Sequence, residues 1–284
     1  MKFGVQMFPT DYAIPATELG RATEDLGFES LFFPEHTHIP ASRRTQWPGG
    51  LPLPQEYWHT LDPFVASGAV AAVTKTLNVG TGICLVIEHD PIVLAKEVAS
   101  VDHLSGGRFL FGIGGGWNIE EMENHGTRGP VRWKILRERM LAMKEIWTKD
   151  EAEYHGEFVD FDPIWSWPKP VRKPHPPILI GGDGPRTFDR VIEYGDEWMP
   201  IGGRLNPADS RTLEDKIEEL QARAKAAGRG RIPVSIFGVP PKAESVERYV
   251  RAGVDRCVFG LPPAPAETVL PILKRYAEIA ASFG

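Results

Sequence analysis

The chain has 284 residues, of which 42% are hydrophobic, so it can bury a sizeable core as one large domain or two small ones. Its formal net charge of −6 argues against general binding to nucleic acids or anionic membranes and favours a small-molecule ligand. No stretch approaches the length of a membrane-spanning helix, and no apolar signal-peptide core follows Met1, so we expect a cytoplasmic protein. Both cysteines, Cys84 and Cys257, lie in apolar runs, which predicts buried, unreactive thiols.

Short apolar runs alternate along the chain with longer amphipathic segments, which is the pattern of βαβ units and a parallel sheet. Eight strands are predicted, at residues 3–7, 30–33, 77–83, 108–113, 177–180, 197–201, 233–237 and 256–259. Asp90 and Pro91 supply an N-cap and a first-turn proline for one of the intervening helices. Eight strand–helix units in a chain of this length predict a single (β/α)8 TIM barrel domain over residues 1–284.

Two segments are longer than the ordinary loops of a barrel. Residues 35–59 follow strand two and are rich in Pro, Trp, His and Arg, which favours a lid or a substrate wall on the active-site face. Residues 150–175 precede strand five, and Gly156 between alternating aromatic and polar residues predicts a β-hairpin there. We therefore expect a long loop after strand two and an insertion before strand five.

The stretch FGIGGGWN follows strand four and contains glycines at positions 114–116. A dinucleotide-binding loop is one interpretation, but Trp117 stands where the third glycine of that motif should be. A tight strand-to-helix turn would also use these glycines, and Asn118 with Glu121 forms a capping-box-like pair at the next helix. Strands five and six end in glycine pairs too, so three neighbouring strands present bare backbone against which a planar cofactor could lie.

Glu35 and His36 follow strand two, and a carboxylate beside a histidine at the carboxyl end of a barrel strand is a candidate acid/base pair. An equal alternative is that His36 is a structural residue that only makes hydrogen bonds. His36 with His38 could start a metal site, but the other strand ends lack the His and Asp ligands of a barrel hydrolase, so we expect no metal. Glycosidase chemistry needs a second facing carboxylate, and only Glu35 is well placed.

The turn after strand five, residues 182–187, is a candidate anion site. It combines backbone N–H groups at the start of a helix with an arginine and a hydroxyl group. Phosphate suits this arrangement, although Asp183 would oppose an anion if its side chain pointed inward. A plain N-capped turn is the alternative interpretation.

The segments FFPEHTHIP, DHLSGGRFLFGIGGGWN, EYHGEFVDF and HPPILIGGDGPR together resemble the bacterial luciferase-like monooxygenase superfamily, and most closely its actinobacterial branch of F420-dependent oxidoreductases. The resemblance covers nearly the whole chain and implies a (β/α)8 barrel, a deazaflavin or flavin at its carboxyl face, and a homodimer. It also implies a non-prolyl cis peptide that forms a bulge behind the cofactor ring. The residues that it assigns to the cofactor are Gly82, Ile83, Gly114, Gly115, Gly116, Trp117 and Asn118 around the ring, and Gly182, Asp183, Gly184, Pro185, Arg186 and Thr187 around its phosphate or the adjoining tail.

One departure from the superfamily concerns the chemistry. Its F420-dependent sugar-phosphate dehydrogenases carry an Asp–His pair after strand two and a glutamate directly after the glycine loop. Here Glu35 and His36 form the pair, and Trp117 takes the place of the glutamate. We therefore do not expect sugar-phosphate oxidation, and His36 is left as the acid/base candidate. Trp117 together with Trp47 and Trp58 predicts an apolar substrate pocket that suits aromatic groups, and packing in the core or at an interface is the equal alternative.

These observations predict an F420-dependent oxidoreductase that transfers a hydride between the deazaflavin and a small organic substrate, with His36 orienting or protonating the reacting group. An FMN-dependent monooxygenase that activates O2 is the alternative enzyme. A non-catalytic flavin-binding protein on the same barrel is a third interpretation, since a fold does not fix a function. Neither the substrate nor the direction of transfer is identified by the sequence.

Overall fold

Eight parallel strands form one sheet that curls into a nearly closed barrel in the computed structural model, which describes residues 1–50, 52–202 and 209–283. The barrel strands are β1 (Lys2–Gln6), β2 (Ser30–Phe33), β3 (Asn78–Cys84), β4 (Phe109–Ile113), β7 (Ile178–Gly181), β8 (Glu197–Met199), β9 (Ser235–Val239) and β10 (Arg256–Gly260). Their spatial order is β8-β7-β4-β3-β2-β1-β10-β9. Isolated bridges from Trp198 to Val234 and from Ile201 to Phe237 link the two edges. The predicted eight-stranded barrel is confirmed.

Helices connect successive strands of the barrel. They are α1 (Ala16–Asp25), α2 (Glu56–His59), α3 (Pro63–Val73), α4 (Pro91–Ser105), α5 (Ile119–Asn124), α6 (Arg132–Thr148), α7 (Thr187–Tyr194), α8 (Leu213–Ala226), α9 (Ala243–Arg251) and α10 (Ala266–Ala281). Asp90 caps α4 as predicted, accepting hydrogen bonds from the N–H groups of Ile92 and Val93 at 2.9 and 3.0 Å. Among the described residues, no helix is both long enough and apolar enough to cross a membrane.

The predicted insertion is a hairpin between α6 and the fifth barrel strand, β7. Its strands β5 (Ala152–His155) and β6 (Asp160–Ile164) pair antiparallel. Gly156 lies in the turn and donates its N–H to the carbonyl oxygen of Val159 at 2.8 Å. The long loop predicted after strand two runs from β2 to α3 and contains, among its described residues, the short helix α2. Both predictions are confirmed.

Two predicted strands differ from the observed ones by two residues at one end or both, and the others differ by at most one. The strand predicted at residues 197–201 ends as β8 at Met199, because Pro200 has no N–H to donate to the sheet. The strand predicted from residue 233 begins as β9 at Ser235. Pro233 lies just before it and contributes its carbonyl oxygen, which accepts the Trp198 N–H at 3.0 Å.

The core has two layers. One fills the space between the strands and the surrounding helices, and the other fills the barrel interior with Phe32, Leu110, Leu179, Met199, Phe237 and Val258. Cys84 and Cys257 are free and buried, and burial raises the pKa of both thiols. The predicted buried cysteines are therefore confirmed.

An ion-pair network closes the amino end of the barrel. The Arg256 Nη1 atom lies 2.6 Å from Glu197 Oε1, and Arg256 Nε lies 2.8 Å from Glu29 Oε2. A cavity of about 270 Å³ beside them is lined in part by the same paired charges. Active sites of such barrels lie at the opposite, carboxyl end, so we interpret this network as a support of the fold.

Candidate active site

The carboxyl ends of β2 and β4 bring a histidine and a glutamate together. His36 follows β2, and Glu121 lies in the first turn of α5, which follows β4. The His36 Nδ1 atom lies 3.0 and 2.8 Å from the two carboxylate oxygens of Glu121. Only 7% of the His36 side chain and 1% of the Glu121 side chain are exposed. A buried histidine oriented by a carboxylate can act as a general base or acid.

The contact between Trp117 and His36 indicates which ring nitrogen of His36 carries the proton. Its indole Nε1 lies 3.3 Å from His36 Nε2, and an indole N–H can only donate a hydrogen bond. Because Nε2 accepts, the ring proton lies on Nδ1, where it is donated to Glu121. In this arrangement the Nε2 lone pair becomes available to a substrate when the indole moves aside.

An aromatic cluster surrounds His36 and consists of Phe8, His36, Trp47, Tyr57 and Trp117. Tyr57 lies at its centre, with its ring centroid 5.1 Å from His36, 5.5 Å from Trp47 and 4.8 Å from Phe8. The ring centroid of Trp117 lies 5.7 Å from that of His36. These rings come from the loops after β1, β2 and β4, so an apolar wall adjoins the histidine.

Of two sequence interpretations of this region, the capping box at α5 was wrong, and the place of Trp58 in a substrate pocket stays a prediction. Trp58 is 51% exposed and its ring contacts His59, outside the aromatic cluster. Asn118 is the N-cap residue of α5, but its side chain makes no capping hydrogen bond. Glu121 bonds to His36 instead of closing a capping box.

Glu121 and Tyr57 are the residues that sequence reasoning missed. The carboxylate that is absent directly after the glycine loop is supplied by Glu121, four positions beyond Trp117. The sequence feature that could have indicated Glu121 is its place as an acidic residue in the first turn of a helix that starts on the same face as His36. Tyr57 gave no signal beyond its place in an aromatic-rich loop, because its contacts depend on how that loop folds back.

Glu35, the other predicted catalytic residue, is 4% exposed, and both of its oxygens are engaged. One accepts the backbone N–H of Leu85, and the other lies 2.8 Å from His89 Nε2. Burial acts to raise the pKa of Glu35, but the hydrogen bond and charge of His89 outweigh it and lower the pKa. Glu35, Cys84 and His89 also bring possible ligand atoms within 4.8 Å of one another. The geometry suits Glu35 as a support for the end of β3, and its catalytic role stays a prediction.

The end of β3 bulges at the mouth of the barrel. The register between β3 and β4 shifts between Thr81 and Cys84, and the Gly82–Ile83 peptide bond is cis, at the position that the resemblance implies. The Ile83 side chain packs on the barrel interior. A Cβ atom added at Gly114 or Gly181 would lie only 2.8 or 3.0 Å from it. The mouth is therefore shaped by close packing of glycine backbone around Ile83.

The glycines after β4 have structural reasons within the protein. A Cβ atom at Gly115 would lie 2.5 Å from the Trp133 ring, and Gly116 has a φ of 65°, which residues with a side chain rarely adopt. These contacts support the tight-turn interpretation of the stretch. Contact between a cofactor and Gly114, Gly115 or Gly116 rests on the resemblance and stays a prediction.

The turn at residues 182–187 presents open backbone where β7 meets α7. Gly182 has a φ of 99°, and among the described residues no atom beyond its chain neighbours lies within 4 Å of the position that a Cβ would take. The Gly184 N–H donates to Thr187 Oγ1 at 3.0 Å, and the Arg186 side chain is 80% exposed. Open backbone, the positive end of α7 and an exposed guanidinium fit the phosphate of a flavin or deazaflavin cofactor.

A third carboxylate, Glu88, lies near Glu121. Its side chain is 1% exposed, and its Oε2 atom lies 3.7 Å from His125 Nε2. Burial, followed by the negative charges of Glu121 and Glu35, raises the pKa of Glu88 to about 9. Glu88 is therefore protonated at neutral pH.

Comparisons with known proteins place the chain among flavin and deazaflavin enzymes. A model of the luciferase-like monooxygenase family matches residues 7–268. An uncharacterized protein of Mycobacterium tuberculosis is 39% identical over 282 residues, which are 98% of each chain. An FMNH2-dependent dimethylsulfone monooxygenase of Pseudomonas putida is 29% identical over 192 residues, which are 66% of this chain and 51% of that protein.

A solved structure of similar fold is an F420-dependent secondary alcohol dehydrogenase in complex with an F420–acetone adduct. The two folds superpose with a TM-score of 0.76 over 98% of each chain, at 18% sequence identity. At this identity the likeness establishes the fold alone, which is the barrel described above.

Proposed function

The chain belongs to the luciferase-like monooxygenase family, and we propose that it is an F420-dependent oxidoreductase that transfers a hydride between the deazaflavin and a small organic substrate. The family relation makes it a flavin- or deazaflavin-dependent oxidoreductase, because relatives use F420 or FMN. The observation that supports F420 is the buried His36–Glu121 pair. Hydride transfer to or from a carbon that bears oxygen requires a proton to move at that oxygen, and this pair can move it.

The proposed chemistry divides between the cofactor and the protein. Bound F420 supplies or accepts the hydride at its C5 position. The Nε2 atom of His36 accepts the hydroxyl proton of an alcohol, or, as an imidazolium, returns a proton to a carbonyl oxygen. Glu121 holds the ring through Nδ1 and stabilises the imidazolium. The Trp117 indole must leave Nε2 before a substrate oxygen can reach it.

We propose that the substrate is apolar near its reacting carbon and that an aromatic group is accepted. The rings of the aromatic cluster border His36 on the substrate side and offer few polar partners. They also keep water away from the reacting atoms, which strengthens the interaction between His36 and Glu121.

The residues proposed to hold the cofactor lie in three segments at the carboxyl end of the barrel. The bulge at Gly82 and Ile83 would support the ring, together with the loop from Gly114 to Asn118. The turn at residues 182–187, which includes Asp183, Gly184, Pro185, Arg186 and Thr187, would receive the phosphate. The open space at Gly182 is the feature of this structure that fits such a group.

An FMN-dependent monooxygenase is the second candidate function. It is favoured by the likeness to the FMNH2-dependent enzyme of Pseudomonas putida. The turn at residues 182–187 suits the phosphate of FMN as well as that of F420. The buried acid/base pair favours F420, because coupled hydride and proton transfer gives this pair a defined task.

The experiment follows F420 absorbance anaerobically with a panel of apolar secondary alcohols and their ketones. We expect His36→Ala to lower turnover by about 10²- to 10⁴-fold while F420 binding is retained, because it removes the proton acceptor but not the cofactor contacts. Glu121→Gln keeps the shape without the charge, so a smaller loss is expected. His155→Ala, on a hairpin side chain that is 55% exposed, is the control. Unchanged turnover in His36→Ala would remove this residue from the mechanism.

A further inference from the structure

A buried lysine from a neighbouring helix holds the turn at residues 182–187. Lys216 lies in the first turns of α8, and 1% of its side chain is exposed. Its Nζ atom lies 2.5 Å from Asp183 Oδ2 and 3.4 Å from Asp209 Oδ2. A buried ammonium group is stable only when it is paired, so this lysine is fixed between two carboxylates.

Asp183 carries a negative charge in the middle of the turn that would receive a phosphate. An unpaired carboxylate at this place would repel the anion, as the sequence alone already suggested. Lys216 opposes that charge at hydrogen-bond distance, and 10% of the Asp183 side chain is exposed. The positive end of α7 and the exposed Arg186 can then act on an anion.

The rest of the turn is fixed by other side chains. The Trp198 Nε1 atom donates to the Gly182 carbonyl oxygen at 2.9 Å, and Thr187 Oγ1 accepts the Gly184 N–H at 3.0 Å. Each contact anchors one residue of the turn, and Lys216 anchors Asp183 between them. The shape of the turn is therefore fixed before a ligand arrives, with the N–H groups of Gly184 and Thr187 already used inside it.

We propose that Lys216 is a positioning residue for the cofactor phosphate, acting by neutralising Asp183 and holding the turn, without touching the phosphate. This inference rests on the proposed function, because it requires a phosphate-bearing cofactor. A direct contact is disfavoured by the burial of Lys216 and by its two carboxylate partners.

The test is the binding of four compounds to the apoprotein, followed by fluorescence: FMN, riboflavin, F420 and its phosphate-free deazaflavin core. Lys216→Met removes the ammonium group that contacts Asp183, so we expect FMN and F420 to bind at least about tenfold more weakly, while binding of the two phosphate-free compounds changes by no more than about twofold. Adding Asp183→Asn removes the carboxylate as well and should restore most of the affinity. Lys225→Met, on an exposed residue of the same helix, is the control.

The outcomes separate the inference from the proposed function. A wild-type protein that binds none of the four compounds contradicts both. If the wild type binds these compounds and Lys216→Met keeps the same preference for the phosphate-bearing ones, this inference alone is contradicted. Equal weakening of the binding of all four compounds also contradicts it. If the double variant binds FMN and F420 as weakly as Lys216→Met does, the lysine contacts the phosphate directly and the inference is contradicted. If Lys216→Met fails to fold, the double variant Lys216→Met with Asp183→Asn replaces it, because its remaining carboxylate, Asp209, still has Arg211 as a partner at 2.9 Å. The inference predicts that the double variant still prefers the phosphate-bearing compounds, so loss of that preference would contradict it.

Discussion

The two ring nitrogens of His36 have different partners, and this difference determines what the residue can do. Glu121 accepts the proton of Nδ1, while Nε2 receives the indole N–H of Trp117. Only 7% of the His36 side chain and 1% of the Glu121 side chain are exposed, so most water is excluded from the pair. This arrangement suits the proton transfer that we propose.

Glu88 gives a prediction on pH and stability. Its pKa is raised from 4.5 to about 9, so between these values the folded state keeps a proton that the unfolded state releases. Stability must therefore fall as pH rises through this window. Glu88→Gln keeps the shape and removes the titration, so it should exceed the wild type in free energy of unfolding by a few kcal/mol at about pH 8, and differ little at about pH 5.

Urea unfolding at several pH values measures this difference. The other charged groups near Glu88 are Glu121, Glu35, Arg139 and His125, and they are present in both proteins. Glu123→Gln, on a side chain of α5 that is 49% exposed, is the control. Parallel pH profiles for the wild type and Glu88→Gln would show that Glu88 is ionised in the folded protein.

The sequence indicated where His36 lies but not that Glu121 contacts it. His36 follows a strand whose carboxyl end must face the active site, and this position is readable from the strand pattern alone. The contact of Glu121 depends on the angle at which α5 leaves the glycine loop, and no pattern specifies that angle. Asp183 shows the same limit, because its pairing with Lys216 joins residues from two separate helical units.

Close packing between neighbouring strands constrains the end of β4. A Cβ atom at Gly112 would lie 2.1 Å from the carbonyl oxygen of Thr81, and Thr81 Oγ1 donates to the Gly112 carbonyl oxygen at 2.7 Å. Backbone cannot yield as a flexible side chain does, so β3 and β4 must approach at a position without a side chain.

Gly112→Ala is therefore expected to lower the free energy of unfolding by about 2–4 kcal/mol, because it forces the two strands apart. Urea denaturation monitored by tryptophan fluorescence gives this value. Gly184→Ala is the matched control, because among the described atoms its Cβ would meet only Thr187 Oγ1, at 3.8 Å. Equal stability of Gly112→Ala and the wild type would mean that the strands are not packed this closely.

Elements were predicted well where a local pattern determines them. Gly156 between alternating residues located the hairpin, and Asp90 with Pro91 located the start of α4. The end of β8 was misjudged because the apolar run continues past Pro200. The capping box at α5 was misjudged because a tertiary partner competes for Glu121, which a local pattern cannot reveal.

An exposed apolar face lies on α3 and α4. Val65 is 72% exposed, Val93 54% and Leu104 66%. Leu104 reaches across to α3, since a Cβ atom at Gly68 would lie 3.9 Å from it. Exposed apolar side chains on two neighbouring helices favour a protein interface, and we propose that a second copy of the chain covers them, in the homodimer expected from the resemblance.

Leu104→Glu should convert this dimer to a monomer, because it would bury a charge in the interface. Light scattering after size-exclusion chromatography measures the mass. Val250→Glu, on α9 and at a residue that is 43% exposed, is the control and should leave the mass unchanged. A wild-type protein that is monomeric at micromolar concentration would contradict the proposed face.

For the whole molecule, strand periodicity predicted the barrel, since eight apolar runs separated by helices allow few other closed arrangements. The cofactor was not predictable in the same way. The glycines that suggested a planar ligand are required by Ile83, Trp133 and a positive φ, whether or not a cofactor binds. The choice between F420 and FMN depends on contacts that neither strand pattern nor glycine spacing specifies.

The most direct measurement is a paired titration of the purified apoprotein with F420 and with FMN, each oxidised and reduced, followed by fluorescence or calorimetry. The F420 proposal predicts micromolar or tighter binding of F420 and much weaker binding of FMN. The reverse preference would contradict it and make the FMN-dependent monooxygenase the leading function. Binding of neither cofactor would contradict both enzyme functions and leave the glycine loop with its structural role.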